Sequence, residues 1–589
     1  MKLHKFNKNK SLSKLRFKQN RNKNIKVISI VLSVVILFIA IIYFSFARFE
    51  TNSDIFHLIN GKVGLFQKWV DVDYYGDNLL YNLEDVEDVT NTKMTYSVYD
   101  ETITVTANEN DGYGNTNGRI NLETGKTYIF NCDTNGTWGS GTTSNVTDTV
   151  EAFLTYEGQS TTGNVIRMNH SKNFEFTASK SGTYYLRLDV NTNGKTYKFN
   201  NISIRKKIDS KTYRNNRAIE SLSTLSSSSS TFVGWYSDYK ESNRVDSSTI
   251  VTPSLTKLFA KSINNTSLTA KILNDNNVND GIYSKNPTLS KVAISQEYYD
   301  TLPSTCEGDG CIKKSAAIVE NGIYANEDDY GTTYYFRGHI ENNYILFAGY
   351  CWRIVRINGN DTIKLLYQGE TCDSTTGLYQ TKYNTHQAKP AIVGYMYGDI
   401  DGSTYDEIFE IVNESEVKKT IDQWYNDKIS TYNSYLSDTL FCNDKSYFYI
   451  NGFDKTKSIN QNNATFKCQL QDDRYTVNDT IVGNGALSYP IALITADELV
   501  FAGAKAGSSA ATTRNTDYYA YNGLQNWTMT PQGAGYTSSQ VRIWTSSKYV
   551  HMDALNGPYY ARPAINLRAN VTYSSGTGTS INPYEIVYN

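Results

Sequence analysis

The chain has 589 residues, about four times the ~150 residues of a typical domain, so it is expected to fold into several domains. Apolar residues make up 39% of the chain and charged residues 20%, with 9 Pro against 39 Gly, which excludes a collagenous or wholly disordered protein. Eleven of the 57 Lys and Arg residues precede Glu50 but none of the 59 acidic residues does. The remainder is therefore acidic and is not expected to bind nucleic acid.

Tyrosine content indicates the fold class. The chain contains 47 Tyr, a residue favoured in strands and at wet binding surfaces because its apolar ring carries a polar tip. We therefore expect a multidomain, mainly β protein that is exposed at a surface.

The N-terminal segment predicts a membrane anchor. Residues 27–46 carry no charge and, at ~1.5 Å per residue in a helix, would span the ~30 Å of a hydrocarbon core. Ten Lys and Arg precede this run, so residues 1–26 are expected to be a basic cytoplasmic tail and the bulk of the chain to be extracellular. Residues 47–77 would form a juxtamembrane stalk. A secretory signal cleaved after Ala47 is the alternative, because residues 45–47 end in a small-x-small pattern.

Residues 78–207 predict a β-sandwich. Short alternating strands, such as Glu101–Ala107 and Gly182–Asp189, are separated by Gly and Asn turns without helical periods. Together with Leu122–Tyr128 and the closing Phe199–Ile204, these segments resemble the jelly-roll carbohydrate-binding modules found beside bacterial glycosidases. The resemblance implies a glycan partner whose sugar rings stack on aromatic side chains of a sheet face or an edge loop.

Four aromatic rings in this region are candidate ligand contacts: Trp138, Tyr113, Tyr156 and Tyr185. Trp138 is preferred because it lies in a polar Gly-rich loop, residues 135–141, where no core is expected to require a large ring. Packing in the core or in a turn is the alternative role for each ring.

Residues 208–262 predict a second, smaller β unit. Gly234-Trp235-Tyr236 and Phe259-Ala260-Lys261 resemble the hallmark motifs of the internalin-type B-repeat, a β-grasp module of bacterial surface proteins. The serine run at 226–230 departs from that pattern, and only one copy is visible, so a spacer is expected, with Trp235 in its core. Residues 263–314 are rich in Asn, Ser and Asp and predict a linker with at most short strands.

Residues 315–589 predict a C-terminal α+β domain. Its ordered motifs, from Gly331–Gly338 to Gly578–Tyr584, resemble a C-terminal domain of Firmicutes surface proteins that has no established chemistry. The last third also resembles C-type-lectin-like and formylglycine-generating folds, which display variable loops on a rigid scaffold. Helical spacing over residues 415–430 and a capping-box start at Thr495–Glu498 predict two helices.

Six of the seven cysteines predict disulfides. Neighbouring pairs are expected among fifteen possible connectivities, and reduced buried thiols are the alternative. A predicted hairpin would bring Cys351 and Cys372 within disulfide reach. Cys132 stands apart from the six candidates, which are Cys306, Cys311, Cys351, Cys372, Cys442 and Cys468.

No motif for catalysis or for a cofactor is present. The sequence lacks HExxH, GxSxG, Walker and GxGxxG-plus-acid patterns, and its six His are scattered. Asp399, Asp401, Asp406 and Glu407 suggest oxygen ligands for Ca²⁺, but the spacing departs from an EF-hand loop and a solvated turn is the preferred interpretation. We therefore assign no catalytic or metal residues.

Two classes of function remain open. We prefer a non-catalytic, membrane-anchored, adhesin-like surface protein that binds glycans or other cell-surface ligands. The alternative is a carbohydrate-active or cysteine-dependent enzyme whose C-terminal domain is catalytic. A glycosidase needs two carboxylates ~5–10 Å apart, whereas Asp497 and Glu498 are expected to face different ways. A formylglycine-type oxidase needs two free cysteines, whereas those of the C-terminal half look pairable.

Overall fold

The structure is a computed structural model that describes residues 54–59, 62–67, 69–81, 83, 94–99, 102–110, 112–139, 149–157, 165–168, 173–219, 221–276, 287–305, 311–374, 379–384, 394–399, 404, 406–407, 410–443, 445–446, 464–504, 515–535, 538–544, 551–554 and 557–588. It is 45% strand and 12% helix, which confirms the predicted mainly β class. The predicted tail, transmembrane helix and cleavage site at Ala47 lie outside these ranges. Within them, no helix is both long and apolar enough to cross a bilayer.

The chain divides into two compact units. Of the described residues, unit 1 comprises those within 54–73, 209–221 and 247–257, and unit 2 comprises those within 74–208, 222–246 and 258–588. In unit 1, β1 (Asp54–Ile59) and β2 (Lys62–Gln67) form an antiparallel pair with Asp54 opposite Gln67. The predicted stalk therefore contains paired strands.

Eleven strands follow from the end of this pair to residue 214: β3 (Trp69–Asn78), β4 (Met94–Tyr99), β5 (Thr102–Ala107), β6 (Gly112–Leu122), β7 (Thr127–Thr134), β8 (Thr137–Trp138), β9 (Thr149–Tyr156), β10 (Val165–Arg167), β11 (Phe174–Thr177), β12 (Gly182–Val190) and β13 (Thr196–Arg214). One sheet has the order β10-β9-β12-β6, with β8 beside β9. A second sheet begins β11-β7-β13, with β5 beside β13 and β4 beside β5. We call the two sheets formed by β4–β13 the sandwich.

Strand alternation places the core of the sandwich between its sheets. Along β12, every second residue from Tyr184 to Val190 is buried, as the period of two in a strand requires. These side chains share one cluster with buried residues of the second sheet, such as Tyr128 and Phe199. The two sheets therefore pack around a shared hydrophobic core.

The second sheet does not end with the sandwich. Beyond β13 it continues through β3 into three further strands, in the order β13-β3-β16-β14-β15. These strands are β14 (Ser230–Tyr236), β15 (Arg244–Val245) and β16 (Lys257–Asn264). Trp235, opposite Ala260, is buried as expected. The predicted small β unit thus extends a larger sheet, and the described part of residues 208–262 contains no helix.

The segment interpreted as a linker, residues 263–314, holds regular structure. It contains α1 (Leu268–Asp275), β17 (Val292–Ile294) and α2 (Gln296–Thr301). Ser267 caps α1, and the buried Leu268 and Ile272 join the core of the C-terminal domain. Composition was misleading here because a short amphipathic helix, with only Asn274 and Asp275 among its exposed residues, lies within the Asn- and Asp-rich stretch.

The C-terminal domain contains helices α3 (Glu416–Lys428) and α4 (Ala496–Ala502) and nineteen strands: β18 (Ala317–Val319), β19 (Gly322–Glu327), β20 (Thr332–Arg337), β21 (Tyr344–Phe347), β22 (Tyr350–Ile357), β23 (Ile363–Gly369), β24 (Tyr379–Thr381), β25 (Met396–Tyr397), β26 (Asn413–Glu414), β27 (Phe441–Cys442), β28 (Arg474–Tyr475), β29 (Ile491–Ala492), β30 (Asn526–Gly535), β31 (Ser538–Trp544), β32 (His551–Ala554), β33 (Tyr559–Ala561), β34 (Ala564–Leu567), β35 (Tyr573–Ser575) and β36 (Glu585–Ile586). Its largest sheet has the order β19-β20-β22-β23-β34-β29, with β21 beside β22. A five-stranded sheet has the order β24-β33-β30-β31-β32. Both predicted helices are confirmed, α3 with Ser415 as its N-cap and α4 with the capping box between Thr495 and Glu498.

Two disulfides join neighbouring cysteines, as expected. They are Cys351–Cys372 and Cys442–Cys468. Cys311 is also disulfide-bonded, whereas Cys306 lies outside the described residues. Cys132 is a buried thiol in the sandwich. Asp401 of the suggested Ca²⁺ loop also lies outside the described residues, among which no cluster of three His, Cys, Asp or Glu could hold a metal ion.

Candidate functional site

Side chains on the outward side of the first sandwich sheet form a polar and aromatic surface, which we call the aromatic face. Side chains alternate between the two sides of a strand. In β12, Tyr185, Arg187 and Asp189 alternate with the buried core residues and therefore point away from the core. Cross-strand pairing fixes its rows: Asp189 lies opposite Tyr113, and Tyr185 lies opposite Arg119. On the other side of β12, Arg187 lies opposite Phe153. The structure thus brings the predicted Tyr113 and Tyr185 onto one surface.

Guanidinium groups lie over the rings of the aromatic face. The Arg187 guanidinium is 4.3 Å from the centre of the Tyr113 ring and 5.4 Å from that of Phe153. Arg167 lies 5.0 Å from the Phe153 ring on the opposite flank, and Arg119 lies 5.5 Å from the Tyr185 ring. All four distances are within the ~6 Å range of cation–π attraction. The rings and the arginines therefore hold one another in place.

Carboxylates balance these arginines. Arg187 donates two hydrogen bonds to Asp189, Nε to Oδ1 at 2.7 Å and Nη2 to Oδ2 at 2.8 Å. Arg119 lies 3.4 Å from Glu157, and Arg167 lies 3.9 Å from Glu151. The described residues of the face therefore offer equal numbers of guanidinium and carboxylate groups.

Burial and the contact between Arg187 and Asp189 both shift the pKa values of these two side chains. Burial raises the pKa of Asp189, although the bidentate hydrogen bond and charge of Arg187 act in the opposite direction. For Arg187, burial alone would lower the pKa, but the hydrogen bond to Asp189 and the charge of Asp189, with smaller contributions from Tyr113 and Tyr185, together raise the pKa. The pair is thus partly withdrawn from water. Planar, pre-oriented donors and acceptors of this kind suit a ligand with adjacent hydroxyl groups.

Trp138 does not belong to the aromatic face. Residues 137–138 form β8, which pairs in parallel with β9 and places Trp138 opposite Val150. The half-buried Trp138 ring packs against the sandwich core, 6.2 Å from the Phe130 ring and 6.3 Å from the Phe199 ring. The expectation that no core requires this ring is therefore wrong, because the apparent loop adds a strand to the sheet.

Tyr156 lies on the core side of the same sheet. Its ring meets Tyr184 edge to face at 5.2 Å, and Lys180 Nζ lies 3.8 Å from its centre. Of the four rings predicted from sequence, the structure brings together two and leaves two elsewhere. The sequence analysis missed two members of the face: Arg187, which the period-two pattern of β12 places on the outward side, and Phe153, which is placed there only by the pairing of β9 with β12.

A second cluster of charged residues lies in the C-terminal domain, where it lines a small recess. Arg356 Nη1 lies 2.7 Å from Asp328 Oδ2, and Lys364 Nζ lies 2.6 Å from Glu498 Oε1. Arg356 Nε is also 3.3 Å from Glu498 Oε1, so the four buried side chains form one ionic network. The recess has a volume of about 20 Å³, room for about one water molecule.

The pKa of Glu498 does not suit the general acid of a glycosidase. Asp497 and Glu498 both line the recess, but they have different partners. Asp497 Oδ2 accepts a hydrogen bond from the backbone N–H of Thr465, whereas Glu498 Oε1 contacts Lys364 and Arg356. Burial would raise the pKa of Glu498, but the charges of Lys364 and Arg356 outweigh burial and lower it. A general acid needs a raised pKa. The described cysteines of this domain are in disulfides, so none of them offers the thiol of a cysteine-dependent enzyme.

No protein-family model matches the sequence, and no curated protein matches it significantly. The function is therefore argued from the residues described above.

Proposed function

We propose that the protein is a membrane-anchored extracellular surface protein that binds a glycan through the aromatic face of a jelly-roll sandwich. The observation that carries this proposal is the row of aromatic rings, Tyr113, Phe153 and Tyr185, each beneath a guanidinium on one outward sheet face. Aromatic rings and planar hydrogen-bonding groups are the combination that recognises sugar rings with adjacent hydroxyl groups.

Charge balance favours a neutral glycan. Each arginine of the aromatic face lies near a carboxylate, so a charged ligand would find no excess of opposite charge. Binding would then depend on hydrogen bonds and ring contacts rather than on long-range attraction. We expect the affinity for a neutral polysaccharide to change little between low salt and 0.5 M salt, because screening acts on exposed charges.

Two features support an extracellular location. The disulfides Cys351–Cys372 and Cys442–Cys468 suit an oxidising compartment. The uncharged run at 27–46, preceded by ten cations, supports an anchor with a cytoplasmic N-terminus. Protease treatment of intact cells is expected to remove the C-terminal bulk, and a bulk that survives would contradict this orientation.

A glycan array probed with the purified full-length chain tests the binding proposal. We expect the wild-type chain to bind one or more neutral polysaccharides weakly, and Arg187→Ala to lose that signal. Arg214→Ala is the matched control, because Arg214 lies over the Trp69 ring at 5.4 Å outside the aromatic face. Absence of any wild-type ligand would contradict the proposal, and turnover of a glycan by the wild-type chain would favour the enzymatic alternative.

A further inference from the structure

The strands expected to be a spacer are built into a larger assembly. The sandwich strand β13 is followed in one sheet by β3, β16 and β14. All of β14, residues 74–78 of β3, 196–208 of β13 and 258–264 of β16 belong to unit 2. Immediately after β16 the chain forms α1, whose buried Leu268 and Leu273 belong to the C-terminal core. A flexible spacer would be bounded by exposed linkers with few contacts across them. Residues 221–229, which precede β14, are mostly exposed, but β14 is joined to β13 through β3 and β16 of the same sheet. On the other side, only the three exposed residues 264–266 lie between the buried Ile263 and Ser267, the N-cap of α1.

Buried charges meet where these parts join. Arg205, on β13 of the sandwich, donates to Glu241 at 2.5 Å and to the carbonyl oxygen of Ala260 at 2.6 Å. Lys261, on β16, lies 3.5 Å from Glu241 and 2.8 Å from Asp361 of the C-terminal domain. We call Arg205, Glu241, Lys261 and Asp361 the ionic joint. Arg205 and Lys261 are 3% and 4% exposed, so the joint is closed to solvent on its cationic side.

Opposite charges counteract the effect of burial within the joint, which also interacts with the nearby carboxylates of Asp77 and Asp328. Burial would lower the pKa of Lys261, but the carboxylates of Asp361 and Glu241 outweigh it and raise the pKa. Burial raises the pKa of Asp361, opposed by the charge of Lys261. Two cations and two carboxylates thus compensate one another, and removing one cation would leave carboxylates without their partner. Such a loss at a buried site is strongly destabilising.

Backbone segments approach one another closely at the joint. A Cβ atom on Gly331 would lie 2.8 Å from Cα of Ser242, in the loop that also carries Glu241. A Cβ atom on Gly359 would lie 2.6 Å from the carbonyl carbon of Tyr330. The sandwich also reaches the C-terminal domain directly, since Lys198 Nζ donates to Thr480 Oγ1 at 3.0 Å.

We propose that β14–β16 are a rigid coupling element, and that the sandwich, these strands and the C-terminal domain fold and unfold as one cooperative unit held by the ionic joint. The aromatic face is then carried at a fixed position relative to the C-terminal domain. This coupling does not depend on what the face binds.

Hydrogen exchange measured by mass spectrometry across a urea series tests the coupling on the full-length wild-type chain. Peptides from β12, β16 and β23 are expected to lose protection at the same urea concentration. Loss of protection at clearly different concentrations in the sandwich and the C-terminal domain would overturn the proposal.

Variants test the role of the ionic joint. Lys261→Met keeps a long unbranched side chain but removes the charge, and it is expected to lower the urea midpoint and to separate the β12 transition from that of β23. Lys419→Met is the control, because Lys419 forms an exposed pair with Glu416. If Lys261→Met does not fold, Glu241→Gln takes its place. It is expected to separate the β12 transition from that of β23 in the same way, with a smaller decrease in the urea midpoint. If the folded joint variant unfolds in one step at the same urea midpoint as Lys419→Met, the ionic joint does not hold the sandwich and the C-terminal domain together.

Discussion

The Arg187 guanidinium lies 4.3 Å from the centre of the Tyr113 ring while both its Nε and Nη2 donate to Asp189. The carboxylate fixes the plane of the guanidinium, and the ring supports one of its faces. Because all three side chains project from neighbouring strands of one sheet, a ligand would meet them already ordered. Pre-ordering reduces the conformational entropy lost on binding.

Arg187→Lys tests whether this planar group matters for binding. Lysine retains the charge but cannot donate two parallel hydrogen bonds, so we expect the affinity for the array-identified polysaccharide to fall about tenfold or more, the equivalent of ~1.4 kcal/mol. Isothermal titration calorimetry measures the change. Arg214→Lys makes the same substitution over the Trp69 ring and should leave affinity unchanged. Equal affinities for wild type and Arg187→Lys would argue against the face as the binding site.

Trp138→Ala tests the corrected role of this ring. Since the ring packs against Phe130 and Phe199, its removal is expected to lower the free energy of unfolding by roughly 2–4 kcal/mol through lost burial and a residual cavity. Urea unfolding measures this change. Trp138→Phe should recover much of the stability because it restores an aromatic ring. A fully stable Trp138→Ala chain that has lost glycan binding would instead support Trp138 as a ligand contact.

Several local features were predictable because neighbours in sequence determine them. The helix at α3 follows from the spacing of Val417, Ile421 and Trp424, and the start of α4 follows from its capping box. The Cys351–Cys372 disulfide follows from the β22–β23 hairpin, whose register places Cys351 opposite Gly369. Each of these features is determined by residues within a single helix or a single hairpin.

Features that depend on strand pairing were not predictable. The aromatic face exists because Arg187 lies opposite Phe153, a residue 34 positions away, and no local pattern specifies that register. Trp138 was misassigned because its short strand is recognised only by its pairing with β9. The helix α1 was missed because Asn and Asp dominate residues 274–280 at its C-terminal end, whereas the C-terminal core buries its apolar side.

Asp422 gives a prediction of pH dependence. Burial raises its pKa to about 6, although the charge of Lys418, whose Nζ is 2.5 Å away, opposes burial. The folded chain therefore binds this proton more tightly than the unfolded chain, whose Asp has a pKa near ~3.9. The contribution of Asp422 to stability falls as pH rises from about 4 to about 6 and stays low above it.

Asp422→Asn isolates that contribution. The substitution should cost less unfolding free energy at pH 7.5 than at pH 4.5, because the wild type has lost the favourable proton by pH 7.5. Urea unfolding of both chains at the two pH values gives the comparison. A larger cost at pH 7.5 would mean that Lys418 dominates and that the pKa of Asp422 is lowered.

The Cys351–Cys372 disulfide closes a loop with a sequence separation of 21. Replacing both cysteines with Ser is expected to lower stability by about 3 kcal/mol, because the cross-link restricts the unfolded chain. Thermal unfolding of the double variant under oxidising conditions measures the loss. Addition of dithiothreitol should lower the wild-type midpoint toward that of the variant, and an unchanged midpoint in both experiments would contradict a stabilising role.

A crystal structure of the full-length chain with the array-identified oligosaccharide bound tests most directly whether the aromatic face binds the glycan. The account predicts the sugar beside Tyr113 and Tyr185, with its hydroxyl groups hydrogen-bonded to Arg187 and Asp189. An oligosaccharide bound at Trp138 or in the C-terminal domain, with the aromatic face empty, would contradict it.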